Sequence, residues 1–300
     1  MKVVAFVGPS GTGKSFRAIG VAHDHHCDGI IDDGLLIEGT KILAGTSAKT
    51  EQNKVQAVKR AIFMEKDHCQ AVREALTRSE PFYQYDAPGV TVRAGVDVSS
   101  YQGNVDWPAV KAAGADFAML RVGFRGYGTG RLVLDSSFRK NIEGARAAGL
   151  QVGVYFFSQA VNEKEAIEEA SMCVQYVQGY QVDMPIFIDL EDVWDPDDGS
   201  GGRANNLSVT QRTSVARAFC DTVRGAGYKA GIYASYYYLL DRMHIGQLEG
   251  DNYIWMASYA DSTSYPRSHD MWQYTDNGRV PGITTWDGRA ASVDMNVWYE

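Results

Sequence analysis

From Arg93 onward the chain repeats one pattern, a short apolar strand followed by a helical stretch, and few architectures accept it. The strand candidates begin at Arg93 (RAGVDVS), Phe117 (FAMLRVG), Val152 (VGVYFFS), Pro185 (PIFIDLE), Ala230 (AGIYAS), Tyr253 (YIWMASY), Met271 (MWQYT) and Val293 (VDMNVW). Helical candidates run over Trp107–Ala113, Ser136–Ala148, Glu163–Val177 and Ser208–Ala226. Ser208 and Thr210 offer N-terminal caps to the last helix, and Gly227 offers its end. Strand and helix alternating through short links predict a parallel sheet. Eight strands in roughly 210 residues predict a closed barrel. The last three links leave little room for helices, so the barrel should have about five βα units followed by three tightly linked strands. The fold class expected is α/β, an irregular TIM-like β/α barrel.

The fourth strand ends in PIFIDLED, where Asp189 and Glu191 sit two apart. Strand side chains alternate faces, so both carboxyls point one way and Leu190 points the other. Like charges that close raise one pKa, which lets one carboxyl keep its proton while its neighbour ionises. A solvated strand end or a salt-bridged pair is the alternative. In a parallel barrel the active site lies at the carboxyl ends of the strands. Asp97, in GVDVSSYQG, lies near the end of the first strand. Asp294, in ASVDMNVW, lies near the start of the last strand, the end opposite the mouth if that strand is parallel to the others. Four acids at one mouth suit metal binding or glycoside hydrolysis. No His lies in these motifs, and a hard cation needs more oxygen ligands or phosphate, so no metal and no cofactor is expected. A glycosidic bond needs one protonated acid and one carboxylate, which fits better.

Composition narrows the partners. A net charge of -8 argues against nucleic acid. No apolar stretch is long enough for membrane insertion. The 17 Tyr and 6 Trp supply flat faces with a polar handle. Cys27, Cys69, Cys173 and Cys220 form no zinc pattern and read as free thiols. Among the aromatics, Tyr155, Tyr233 and Trp272 are candidates to stack on sugar rings, core packing being the alternative for each. Arg121 interrupts an apolar strand and needs a carboxylate partner. It is expected to pair with one of the four acids, with a purely structural ion pair as the alternative. The acidic, Gly-rich loop after Glu191 reads as a mobile rim, an ordinary solvated loop being the alternative.

The segments GVDVSSYQG with its following DW, LRVGFRGYG, VGVYFFSQA, FIDLED, GIYAS, WQYTDNGRVPGI and VDMN occur in this order. Together they resemble a family 25 glycoside hydrolase, a lysozyme-type peptidoglycan muramidase, over about residues 93–300. The resemblance implies cleavage of the β-1,4 bond between N-acetylmuramic acid and N-acetylglucosamine. It also implies that Glu191 is the general acid, that Asp189 is the second member of the D-x-E pair, and that Asp97 and Asp294 are the other two acidic positions.

Residues 1–80 differ in kind. Gly8 to Ser15 (GPSGTGKS) follows an apolar strand and precedes a helical stretch, the context of a phosphate-binding loop. Gly8 and Gly13 would shape the loop, Lys14 would reach outer phosphates, and Ser15 would hold magnesium. About 80 residues is short for a nucleotide-binding domain. This segment therefore resembles the front part of a P-loop NTPase, expected to bind nucleotide weakly or not at all. The domains expected are this partial P-loop segment (1–80), a linker (81–92) and the hydrolase barrel (93–300). The N-terminal run MKVVAFVGPSG carries no cleavage site, so no signal peptide is read. A wall substrate then leaves the export route open.

Overall fold

The computed structural model describes residues 30–38 and 41–77, residues 89–300 apart from 196, 198 and 261, and the single positions 18, 21 and 82. It divides into two compact units, Met1–Ser79 and Glu80–Glu300.

The described part of the first unit is a three-stranded sheet of Ile30–Asp32, Leu35–Glu38 and Lys41–Gly45, with helices Lys54–Ala61 and Lys66–Thr77. Both strand pairings are antiparallel. Asp33 and Gly34, with φ of 53° and 85°, make the two-residue turn between the first two strands, the dipeptide that such a hairpin favours. Gly8, Gly13, Lys14 and Ser15 lie outside the described residues, as does Cys27. The described sheet carries none of the parallel strands that accompany a phosphate-binding loop.

The second unit is an eight-stranded barrel. Its strands are β1 (Val92–Val98), β2 (Phe117–Arg125), β3 (Gln151–Ser158), β4 (Ile186–Leu190), β5 (Ala230–Ser235), β6 (Tyr253–Ala257), β7 (Met271–Gly278) and β8 (Val293–Tyr299). Helices α1 (Trp107–Ala112), α2 (Phe138–Ala147), α3 (Glu163–Val177), α4 (Val209–Gly225) and α5 (Tyr236–Asp241) follow the first five strands in turn. Among the described residues, no α-helix separates the last three strands. Strands β1 to β6 are each parallel to their successors. The eighth departs from the all-parallel expectation. It runs antiparallel to both β7 and β1, and so closes the ring. The link from β7 to β8 therefore starts and finishes at the same end of the barrel, whereas the equally helix-free link from β6 to β7 crosses to the other end.

Helix ends follow their capping residues. Ser208 Oγ accepts from Gln211 N at 3.3 Å while Gln211 Oε1 accepts from Ser208 N at 3.0 Å, a reciprocal cap for α4. Asn162 caps α3 by accepting from Glu165 N at 3.0 Å; such a cap contributes about 1 kcal/mol.

Two apolar layers hold the barrel. The outer layer packs the strands against the helices, and Phe82 is buried within it. Residue 82 therefore belongs to this unit's core, although 81–92 reads as a linker in sequence; residues 83–88 lie outside the described set. The inner layer fills the barrel floor with Phe117, Met119, Phe187, Trp255, Met271 and Trp298. Burying each such side chain contributes about 1.5–3 kcal/mol. Gly95 makes room for one of them, since a Cβ there would lie 2.5 Å from the Phe117 ring. Above this floor the inward positions turn polar.

Candidate active site

Asp97 stands at the mouth end of β1, Asp189 near the end of β4, and Glu191 one residue past it. The reversed direction of β8 settles Asp294. The start of an antiparallel strand lies at the same end as the finish of its neighbours, and Asp294 pairs in register with Asp97. All four carboxyls line one cavity of about 210 Å³, with Arg121, Tyr155, Tyr233, Trp255 and Gln273 among its other walls. A second, wider cavity of about 750 Å³ shares Glu191 and Tyr233 with the first, and adds Tyr236, Tyr237, Tyr238, Tyr259 and Arg242.

Burial makes these acids reluctant to ionise. Burial pushes Asp189 well above the usual carboxylate range; Glu191, Asp97 and Asp294 add to this, while Arg121 pulls back. Its Oδ1 is buried with no hydrogen-bond partner. Glu191 is raised by burial, with Asp97 adding to the effect, while a hydrogen bond between Tyr233 and its carboxylate form opposes the rise. Asp294 is pushed up to about 9, by burial first, then by the charge of Asp97 and by a hydrogen bond between the two carboxyls. Asp97 is also raised by burial, but hydrogen bonds from Asn296, Gln273 and Asp294 oppose the rise. Asp97 is therefore the member best equipped to stay ionised, and Asp294 holds a proton against it. Raised carboxyls are thus not confined to the D-x-E pair, since Asp294 is held toward its protonated form as well.

The predicted binding residues separate. Tyr155 and Tyr233 line the cavity and meet the Trp255 ring edge-on, with centroids 5.9 and 4.5 Å away. Trp272 faces outward. It is 1% exposed, sits in the outer apolar layer and donates Nε1–H to Ser258 O at 2.8 Å, so it lines neither cavity. Arg121 lines the cavity but pairs with none of the four acids. Its Nε donates to Asp135 Oδ2 at 2.8 Å, and it lies 5.1 Å over the Tyr101 ring. The loop after Glu191 is tethered at its far end, where Arg203 grips both carboxylate oxygens of Glu165 at 2.7 and 2.9 Å.

Gln273, Asn296 and Trp255 also belong to the site. Gln273 and Asn296 each donate to Asp97 Oδ2, at 2.9 and 2.8 Å. A lone amide inside an apolar strand was the signal available for both, of the same kind that singles out Arg121. Among the described residues, no group of three or more His, Cys, Asp and Glu is arranged to hold a metal ion. The arrangement can instead give a proton from one carboxyl and set negative charge beside a developing cation.

A barrel whose mouth gathers protonated and ionised carboxyls beside aromatic faces is the framework of a glycoside hydrolase. A profile for glycosyl hydrolases family 25 matches residues 96–283, and the chain belongs to that family. It is 27% identical over 191 residues to the autolytic lysozyme of Clostridium acetobutylicum, covering 63% of this chain and 52% of that protein. It is 28% identical over 206 residues to lysozyme M1 of Streptomyces globisporus, covering 63% of this chain and 64% of that one. The chain thus spans between half and two thirds of the length of these relatives. Among solved structures, a bacterial lysozyme from Streptomyces coelicolor matches with a TM-score of 0.54 at 25% identity, over 70% of this chain and 92% of that one. The modular autolysin LytC of Streptococcus pneumoniae shares the fold at 23% identity, with a TM-score of 0.59 over 72% of this chain and 48% of that one.

Proposed function

We propose that the chain is a peptidoglycan hydrolase that cleaves the β-1,4 bond between N-acetylmuramic acid and N-acetylglucosamine. The observation that carries this reading is the convergence of Asp97, Asp189, Glu191 and Asp294 on one cavity. Membership of family 25 and likeness to two lysozymes support it. In this reading Glu191, raised by burial and reachable from both cavities, gives its proton to the leaving oxygen. Asp189, whose Oδ1 has no partner in the protein, faces the sugar. It either stabilises the oxocarbenium charge or orients the N-acetyl group for attack. Asp97 supplies a fixed negative charge, and Asp294 acts as a neutral donor beside it. The tyrosines of the wider cavity offer stacking faces for neighbouring sugars. The substrate lies outside the cell membrane, and among the described residues no helix is long and apolar enough to cross one.

The test is release of reducing ends from purified cell wall. Glu191→Gln keeps the shape of the side chain and removes its acid proton, so the rate should fall by about 10²–10⁴-fold. Full activity in that variant removes the acid from its role.

A further inference from the structure

Behind the carboxyls lies a set of hydrogen bonds whose directions chemistry fixes. An indole can only donate, and Trp255 gives Nε1–H to Asn296 Oδ1 at 2.9 Å. Asn296 must then turn its nitrogen the other way, and Nδ2 donates to Asp97 Oδ2 at 2.8 Å. Gln273 is the register partner of Asn296 on β7. It donates from Nε2 to the same oxygen at 2.9 Å. Its Oε1 therefore faces away from Asp97, where it accepts the hydroxyls of Tyr233 at 2.8 Å and Tyr259 at 3.1 Å. Gln273 is 2% exposed and Asn296 0%, so an inverted amide would set acceptor against acceptor with little water to relieve it.

Tyr233 has one proton. Given to Gln273, it is not available to Glu191, whose carboxylate form a hydrogen bond from the same phenol would favour. While the Tyr233 proton stays on Gln273, a bond between Tyr233 and Glu191 requires Glu191 to donate its own proton to the phenol oxygen. We propose that Gln273 is a positioning residue for the acid step. By giving its N–H to Asp97 and taking the O–H of Tyr233, it orients a hydrogen-bond chain that leaves Asp97 ionised and the acid proton on Glu191. This rests on the muramidase reading of the same site. It also says what happens after the proton leaves. Once Glu191 has passed its proton to the glycosidic oxygen, the Tyr233 hydroxyl rotates to donate to the new carboxylate. Tyr259 keeps Gln273 Oε1 satisfied, and no proton changes owner in that rotation.

The other titratable or charged groups facing Asp97 and Glu191 are Asp189, Asp294, Arg121, Tyr155 and Tyr259. The Asp192–Arg242 pair stands in the wider cavity. All of these are retained in the variants below, so a moved limb reports on the amide and the phenol.

The experiment is the pH dependence of kcat/KM for reducing-end release from purified cell wall, with wild type, Gln273→Met and Tyr233→Phe. The acid limb reports the coupled loss of a first proton from the cluster, and the basic limb reports loss of the acid proton. In Gln273→Met, Asp97 loses a donor and the acid limb rises. Tyr233 loses its acceptor, turns to Glu191 and favours its carboxylate, so the basic limb falls. Each displacement should be about one pH unit, the size expected of one hydrogen bond to a charged group. In Tyr233→Phe the Glu191 carboxylate loses the donor that the phenol supplies once the proton has left, so the basic limb rises while the acid limb stays. A lower bell with both limbs in place in Gln273→Met, or a basic limb that falls in Tyr233→Phe, overturns the proposal. If thermal unfolding shows that Gln273→Met does not fold, the direction of the Tyr233→Phe limb decides alone. Absence of wall hydrolysis by wild type at every pH marks failure of the muramidase reading, and this inference falls with it.

Discussion

Asp294 offers a prediction whose sign is unusual for an active-site substitution. Its carboxyl is held protonated up to about 9, against an ordinary value of 3.8. Where the unfolded chain has lost this proton and the folded chain keeps it, stability falls as pH rises. That window opens near pH 4 and closes near pH 9. About three pH units separate 3.8 from neutrality. At about 1.4 kcal/mol each, Asp294 costs the fold on the order of 4 kcal/mol at pH 7. Asn has the same shape, is neutral at every pH and keeps an N–H to donate to Asp97. Asp294→Asn should therefore stabilise the protein at pH 7. Because Asp294 titrates together with Asp97, about half of the full figure is a fair expectation. With roughly 2–4 °C per kcal/mol for a barrel of this size, the midpoint of thermal unfolding should rise by about 4–8 °C. The gain should shrink as pH falls and vanish below about pH 4, where wild type and unfolded chain are both protonated. Calorimetric scans of both proteins from pH 4 to pH 8 give the difference directly. A variant that is less stable than wild type at pH 7, or a gain that does not change with pH, would refute the proton assignment.

Two further predictions concern residues away from the carboxyls. Trp272→Phe should leave KM for cell wall within about twofold of wild type. It should cost about 1–3 kcal/mol in urea unfolding, because the Ser258 carbonyl loses its donor. Arg125 is 4% exposed and donates to the fully buried Glu169 at 2.7 Å, with Glu169 already pushed up to about 7 by burial. Arg125→Met strands that carboxyl and should cost about 3–5 kcal/mol where Glu169 is charged. The loss should be larger at pH 8 than at pH 5, where Glu169 is neutral, and urea unfolding at the two pH values checks it.

The strand and helix order of the barrel was legible because each element carries its own period and its own punctuation. Ser208 and Gly227 bracket α4 as the capping rules require, and PIFIDLED is a buried strand ending in acids. The direction of β8 was not legible. VDMNVW has the same alternation whichever way it runs, and only its pairing with β7 and β1 sets its sense. The same ambiguity misassigned Trp272. Period two places Trp272 and Gln273 on opposite faces but does not say which face is inside, and the amide, not the indole, turned inward. Arg121 was correctly read as needing a carboxylate. Its partner Asp135 follows a short strand, Leu132–Leu134, that pairs back on β2, and this pairing has no local signal at Arg121 itself. The mutual orientation of Gln273, Tyr233 and Asp97 depends on three separate strands and has no trace in any one of them.

The reversed last strand also bears on when this protein becomes competent. Residues 293–299 are the last of the barrel strands to leave the ribosome, and they both seal the gap between β7 and β1 and bring in Asp294 and Asn296. A nascent chain that stops short of them has an open sheet and a cluster of three acids, with Asp97 missing one of its amide donors. Sealing of the ring and completion of the acid cluster are thus a single event in the life of the polypeptide.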